Sequence, residues 1–421
     1  MEVSIAGAIF VIAYALIALE RWDRTLVALL AGFAVVLLGI IDQHEAFEAI
    51  DLNVIFLLAG MMVIAGALAQ TGFFEWLAIR SVRLSRGDPM RLLLILATVT
   101  AFLSAFLDNV TTVVLMTPIT LSVARRLEVS PMPYLIAQIL ASNIGGTATL
   151  IGDPPNILIG SAARLDFTEF LLNLGPVTVA VFVAFAVIMR VVFRGALQVP
   201  SERREAALEM TEAVTITNRP LLARSLALFA LVSVGFLFHS ALGLEVATIA
   251  LLGATLIMLL GGLDPHEAFR EVEWSTLFFF VGLFVLVEAV VQVGIVGGIA
   301  EGLAQLTRGD VGLASIGLLW FSAFASAIVD NIPYTATAIP VVDQLIAGGM
   351  DDRPLWWSLA LGACLGGNLT IVGASANVVV ANLAIRGGHT IKFFEFMRYG
   401  ALVVLASLLI STIYVWFRYL G

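Results

Sequence analysis

The chain has 421 residues, of which 60% are hydrophobic and 13% are charged, and its mean hydropathy is +1.03. Because soluble domains carry about 25% charged residues, this composition excludes an ordinary soluble globule and predicts an integral membrane protein. The 31 acidic residues exceed the 22 basic ones, and the net charge of −9 argues against a nucleic-acid partner. One cysteine and four histidines without ligand spacing argue against a disulfide framework or a metal site, so no cofactor is expected.

Four continuous apolar stretches of the first half are each about long enough to cross a bilayer as a helix. They lie near 3–19, 25–41, 53–70 and 173–193. The first is expected to be a retained span and not a cleaved signal, because an acidic residue, Glu2, stands where a signal peptide has a basic region.

Two further apolar segments of the first half are interrupted by polar residues. Segment 92–124 is split by Asp108-Asn109, and segment 133–163 is split by GGTATLIGDPPN at 145–156. The second half shows the same order of segments. Its continuous spans lie near 222–240, 246–261, 275–292 and 398–417, and its interrupted segments are 312–346, split by Asp330-Asn331, and 355–385, split by GGNLTIVGASAN at 366–377.

The two halves correspond residue by residue. An offset of 222 pairs the Asp-Asn sequence at 108–109 with that at 330–331, and an offset of 221 then pairs Asn156 with Asn377. Internal duplication of this kind is common in transporter folds. The predicted organisation is a first repeat at 1–193, a cytoplasmic linker at 194–220 and a second repeat at 221–421.

Segments 92–124 and 312–346 are too short for two full crossings, which need about 40 residues. We predict that both are re-entrant hairpins, because arginines flank both ends of the first segment and a hairpin leaves them on one side. Five crossings per half then give ten transmembrane helices, an inverted two-fold repeat, and N and C termini outside the plasma (inner) membrane. This topology places 18 of the 22 Lys and Arg residues in the cytoplasm, as the positive-inside rule favours.

The two intramembrane aspartates need a physical reason, because a carboxyl group at the bilayer centre costs about 2.5–3.5 kcal/mol on insertion scales. Asp108 and Asp330 are each expected to cap the half-helix that follows. Capping alone does not explain an aspartate, since a neutral serine would cap at a lower insertion cost. We therefore interpret both residues as groups that take up and release protons, or that hold a cation when ionised.

The four interruptions predict one shared polar cavity, because lipid cannot satisfy the N–H and C=O groups of backbone that leaves helical geometry. Hydroxyls and amides around it suit a small polar solute, although they could instead only satisfy the broken backbone. The expected solute-binding residues are Asn109, Thr112, Thr147, Thr149, Asn156, Asn331, Thr335, Asn368, Thr370 and Asn377. Asp153, whose repeat counterpart is Ala374, is expected to carry protons together with Asp108 and Asp330, which lie at the tips of the two predicted hairpins.

Two segments carry a resemblance to known transporters. SAFLDNVTTVVLMTP at 104–118 and NIGGTATLIGDPPNIL at 143–158 resemble ArsB-type arsenite permeases and the P protein. Both belong to the ion transporter superfamily, which also includes NhaD-type sodium/proton antiporters and divalent-anion/sodium symporters. The symporters have Ser-Asn-Thr at the tips of the two hairpins, and in this chain Asp108 and Asp330 replace the serine. This departure argues against sodium-coupled dicarboxylate uptake.

The resemblance implies a scaffold and a mobile transport domain of elevator type, which carries the hairpins and broken helices. It also implies proton-coupled export of arsenite or antimonite as the neutral trihydroxide, with or without an ArsA-type cytoplasmic ATPase, and leaves a homodimer open. The alternatives are sodium/proton exchange, transport of a small organic or inorganic anion, and a receptor that moves nothing. An enzyme is not expected, because no nucleophile and base have usable spacing. Glu288 is interpreted as a proton relay or an interfacial carboxylate, and Cys364 as a packing residue.

Overall fold

The computed structural model describes residues 2–19, 21–195, 197 and 216–421, and its secondary structure there is all-helical. The first half contains α1 (Glu2–Leu19), α2 (Arg24–Leu37), α3 (Gln43–Glu48), α4 (Leu52–Ala69), α5 (Phe73–Ser85), α6 (Pro89–Ser104), α7 (Asn109–Arg126), α8 (Met132–Gly146), α9 (Pro154–Ala163) and α10 (Phe167–Val192). The second half contains α11 (Arg219–Leu242), α12 (Val246–Gly261), α13 (Pro265–Arg270), α14 (Trp274–Gln292), α15 (Ile295–Leu306), α16 (Val311–Val329), α17 (Asn331–Ala347), α18 (Asp352–Gly366), α19 (Ser375–Arg386) and α20 (Phe393–Val415). Most of the predicted linker at 194–220 lies outside the described residues.

Helices α1 to α10 occur in the same order as α11 to α20, and their packing partners correspond. Helix α2 packs on α14 as α12 packs on α4, and α6 packs on α8 as α16 packs on α18. Each half also reaches into the other, since α7 packs on α19 and its counterpart α17 packs on α9. The two halves therefore interlock, and the interrupted segments meet at the boundary between them.

Seven helical stretches in the described ranges are long and apolar enough to cross a membrane. Six of them match predicted continuous spans, and the seventh, Val311–Val329, is one arm of a predicted hairpin. Two predicted spans are shorter, because α2 has 14 residues and α12 has 16. The two interrupted spans are divided into half-helices of 10 to 15 residues, each too short to cross alone. Ten crossings therefore stay a prediction.

The sequence analysis missed α5 and α15, which follow the span helices α4 and α14. Both begin after a glycine with positive φ, at 76° for Gly72 and 81° for Gly294. Glycine adopts this left-handed conformation without the steric cost of a Cβ atom. Because the two glycines are repeat counterparts, the same sharp turn occurs at the same place in both halves.

Helices α8 and α18 approach their neighbours closely enough to require glycine. Gly145 faces Ala101 of α6, and its counterpart Gly366 faces Ala323 of α16. A Cβ atom at either glycine would overlap backbone atoms of the facing alanine. Small residues of this kind let membrane helices pack backbone to backbone.

We expect Gly366→Ala to lower stability by about 1–3 kcal/mol, the usual cost of overpacking a tight core. The measurement is the thermal unfolding midpoint of the purified protein in detergent. Gly297→Ala is the matched control, because no atom of the described residues lies within 4 Å of a Cβ atom built there. An equal loss in both variants would show that the close approach is unimportant.

Candidate functional site

The first tip is the turn of residues 105–108 between α6 and α7. Asp108 is 4% exposed and has an extended backbone. Its Oδ1 accepts a hydrogen bond from the Thr111 backbone N at 2.9 Å. The predicted capping role is therefore observed, and Asp108 fixes the start of the half-helix that carries Asn109.

The second tip is a single residue, Asp330, between α16 and α17. Its backbone has φ of 85° and ψ of 139°, a region that residues with a side chain rarely occupy. Its Oδ1 accepts from the Ile332 backbone N at 2.9 Å, and its Oδ2 accepts from the Ser375 hydroxyl at 2.8 Å. The two tips thus share a capping aspartate but differ in backbone conformation, because only the second connects its helices through one residue.

The broken helices hold their own loops with matched side chains. The Nδ2 of Asn156 donates to the Gly146, Thr147 and Thr149 carbonyls, and the Nδ2 of its counterpart Asn377 donates to the Gly367 and Thr370 carbonyls. The hydroxyls of the counterparts Thr149 and Thr370 donate to the carbonyls of Ala105 and Ala327, respectively. These bonds satisfy backbone that has left the helix, which was the alternative raised for these polar residues.

The two tips and the first broken helix meet at Asp153, which is fully buried. Its Oδ1 accepts from Asn109 Nδ2 at 3.1 Å and from Asn331 Nδ2 at 3.2 Å. Its Oδ2 lies 3.3 Å from the same Asn331 nitrogen. Asp153 is also near enough to Asp108 and Asp330 to interact with both electrostatically. One carboxyl group therefore joins the tips of the two halves.

The sequence analysis did not assign a role to Asn143, which connects three of the four interruptions. Its Oδ1 accepts from Asn109 Nδ2 at 3.0 Å. Its Nδ2 donates to Asn368 Oδ1 at 3.0 Å and to Asn377 Oδ1 at 2.9 Å. The alignment of the two repeats could have drawn attention to Asn143, because the equivalent position in the second repeat is Cys364, which has no amide group. We call the six buried residues Asn109, Asn143, Asp153, Asn331, Asn368 and Asn377 the central network.

The other predicted residues differ in whether their polar atoms have partners. The hydroxyls of Thr147 and Thr335 donate to carbonyls of their own helices, at Asn143 and Asn331. By contrast, Asn109 Oδ1 and Thr112 Oγ1 are buried and have no hydrogen-bond partner within the described part of the chain. Buried polar atoms are usually paired, so these two are the acceptors that a solute could use.

Two residues with open roles lie in different surroundings. The Cys364 thiol is buried and donates to Asn156 Oδ1 at 3.4 Å, next to the central network. Glu288 is half-buried and accepts from Gln292, one turn further along α14, at 3.3 Å. Over the described ranges, no three His, Cys, Asp or Glu side chains are grouped in a way that could hold a metal ion.

A cavity of about 470 Å³ leads to the second tip, and its lining includes Asp23, Arg24, Glu273, Asp330 and Ser375. A second cavity of about 450 Å³ lies at the matching place in the other half, where Glu245 and Val246 replace Asp23 and Arg24. Neither tip aspartate is among the residues that line this second cavity. The structure is therefore open towards the second tip on the Arg24 side.

Arg24 is the charged residue whose position the sequence did not reveal. Its Nη1 donates to Ser375 Oγ and lies 3.4 Å from Asp330 Oδ2. Its guanidinium group also stacks over the Phe279 ring, 5.2 Å from the ring centroid. Sequence reasoning counted Arg24 only as one of many cytoplasmic cations. The useful signal was its repeat counterpart, Val246, since a charge present in one copy only marks a specialised position.

Comparison with known proteins identifies a matching family. A family described as citrate transporters, CitMHS, matches residues 14–362. An uncharacterized transporter of Mycobacterium bovis is 45% identical over 423 residues, which cover 99% of this chain and 98% of that protein. The human P protein is 32% identical over 500 aligned positions, and the alignment covers 98% of this chain but 59% of the P protein.

Two solved structures share the fold. The YdaH transporter of Alcanivorax borkumensis matches with a TM-score of 0.63 at 16% sequence identity, covering 99% of this chain and 98% of that one. MtrF of Neisseria gonorrhoeae, described as illuminating a class of antimetabolite efflux pumps, matches with a TM-score of 0.59 at 12% identity, covering 98% and 94%. At these identities the likeness concerns the fold alone.

Proposed function

The chain belongs to the citrate transporter family and is a secondary transporter of the membrane, and we propose that it exports a small neutral polar solute in exchange for protons. Arsenite and antimonite, as As(OH)₃ and Sb(OH)₃, are the first candidate solutes. Asp108, Asp153 and Asp330 carry the protons in this proposal. An ArsA-type ATPase and a second copy of the chain are further proposed partners.

The observation that carries the proposal is the convergence of three buried carboxyl groups at the place where both tips meet. Asp108, Asp153 and Asp330 are at most 8% exposed. Of the three, only Asp330 lies within 4 Å of a cationic group in the described ranges, at Arg24. Burying a charge without a partner is costly, so such carboxyl groups readily bind protons. Proton uptake and release at this point would couple solute movement to the proton gradient.

A neutral trihydroxide fits the unpaired atoms of this site. Its hydroxyls can donate hydrogen bonds, and Asn109 Oδ1 and Thr112 Oγ1 are buried acceptors without a partner in the described part of the protein. The remaining expected binding residues are Thr147, Thr149, Asn156, Asn331, Thr335, Asn368, Thr370 and Asn377. Several of them already bond to the backbone, so in this proposal they shape the site and do not contact the solute in every state.

We also propose that the two halves are inverted copies and that the interrupted segments move together as an elevator. The interlocked packing supports this idea, because α7 contacts α19 and α17 contacts α9 across the boundary between halves. On the predicted topology, the cavity beside Arg24 opens to the cytoplasm. The predicted boundaries of the repeats, at 1–193 and 221–421, are retained in the proposal.

We expect Asp108→Asn and Asp330→Asn each to abolish most proton-driven arsenite uptake into everted membrane vesicles, because an amide keeps the shape of the side chain but carries no titratable proton. Asp343→Asn is the matched control, since Asp343 is exposed on α17. Uptake that persists at the wild-type rate in both tip variants would exclude the proton role.

Sodium/proton exchange is the second candidate, favoured by the acidic lining beside Arg24, which contains Asp23, Glu273 and Asp330. The same vesicles, loaded with a pH dye, would show sodium-dependent dequenching and no response to arsenite. Transport of a small anion is the third candidate, and the family description and the guanidinium of Arg24 favour it. Competition by citrate in the arsenite assay would support that alternative.

A further inference from the structure

Two amide groups from opposite halves of the chain converge on one carboxylate. Asn109 and Asn331 are the first residues of α7 and α17, and the Nδ2 atoms of both donate to Asp153 within 3.3 Å. Helix N-termini also carry partial positive charge, so each amide lies where an anion is favoured. The tips therefore form a buried cradle for one carboxylate, and Asp153 already fills it.

The conventional role of such an aspartate does not explain Asp153. It occupies the N-cap position of α9 but makes no side-chain hydrogen bond to the backbone of that helix. The tip aspartates, Asp108 and Asp330, both make this bond. The Asp153 carboxylate is thus directed away from its own helix and towards the two amides.

The repeat shows that the fold does not require a carboxylate at this position. The counterpart of Asp153 is Ala374, which has nearly the same extended backbone, with φ of −151° and ψ of 144° against −143° and 134°. Helix α19 begins there without a side-chain cap. The carboxylate is therefore present in the first copy only, and the contacts that could explain it are those at the cradle.

We propose that the Asp153 carboxyl group, charged or protonated, occupies the cradle, excludes carboxylate solutes from the central network and restricts transport to neutral or cationic ones. This inference narrows the solute class of the proposed function and rests on the transport role of the tips. An ionised Asp153 repels a second anion strongly in a medium of low dielectric constant. A protonated Asp153 still fills the cradle, so a second carboxylate has no room to bond to both amides.

The test is chemical replacement of the missing carboxylate. In Asp153→Ala, we expect formate to raise the thermal unfolding midpoint by a few degrees and in a saturable way, because a ligand that binds only the folded state stabilises it. Formate should have no such effect on the wild type, whose cradle is full. Asp153→Ser is a second variant, since its short side chain also leaves space and keeps a polar atom against the amides.

Two controls separate cradle binding from general salt effects. Asp343→Ala removes an exposed carboxylate and should gain no formate response. Adding Asn331→Ala to Asp153→Ala removes one donor and should abolish the response. Equal formate stabilisation of the wild type, or none in either cradle variant, would overturn the inference. Because the readout is binding and not flux, failure of arsenite transport would leave this result intact and count only against the proposed solute.

Discussion

Replacing Asn143 with aspartate is expected to lower stability by about 3–5 kcal/mol, the range for an uncompensated buried charge. The two side chains have the same shape, but the change turns a donor into an acceptor. The new oxygen would face Asn368 Oδ1 and Asn377 Oδ1, which now accept from Asn143 Nδ2 at 3.0 and 2.9 Å. Two hydrogen bonds would be lost and replaced by repulsion in a fully buried network.

Thermal unfolding in detergent measures this effect, with Asn382→Asp as the matched control. Asn382 is exposed beside the cavity of Arg24, so the identical chemical change there should alter stability by at most about 0.5 kcal/mol. Similar midpoints for Asn143→Asp and the wild type would mean that the central network does not hold the interruptions together.

Loss of the Arg24 guanidinium is expected to destabilise the protein by about 1–3 kcal/mol, because it leaves the Asp330 carboxylate without its cationic partner. The value lies below that of a fully buried pair, since 30% of the Arg24 side chain is exposed. Arg24→Gln also removes the stacking contact with Phe279. We expect Asp330→Asn to cost less in the Arg24→Gln background than in the wild type.

A double-mutant cycle of Arg24→Gln and Asp330→Asn, followed by thermal unfolding, measures the coupling of the pair. Arg21→Gln is the control, because Arg21 is exposed and lies three residues before Arg24. Strictly additive losses for the two changes would contradict a direct interaction between the side chains.

The sequence predicted the helical membrane architecture and the place of every interruption, because both depend on local patterns. The Asp-Asn tips and the glycine-rich breaks lie between helices as expected. The family match confirms a membrane transporter related to the P protein, whereas the arsenite assignment stays a prediction. Helices α5 and α15 were missed, because at 13 and 12 residues each is too short to be recognised as a membrane span.

Side-chain partners could not be predicted, because they depend on how distant segments pack. Sequence reasoning left two roles open for Asn156 and Thr149, solute binding or satisfying broken backbone. In the structure Asn156 donates to carbonyls of its own loop and Thr149 to the Ala105 carbonyl at the first tip. Sequence reasoning counted Arg24 as a cytoplasmic charge, since the positive-inside rule concerns only the side of the membrane. The contact with Asp330 joins residues 306 positions apart, and no local pattern encodes it.

The two repeats share the same order of helices but differ in the charge of equivalent residues, and this difference should affect the rates of transport in the two directions. An ion that arrives from one side meets a guanidinium at Arg24, whereas the equivalent place on the other route presents the aliphatic Val246. The free-energy profile of the transported ion is therefore asymmetric between the two sides of the membrane. Gradients alone set the final equilibrium, but we expect rectification: opposite gradients of equal size should drive unequal rates.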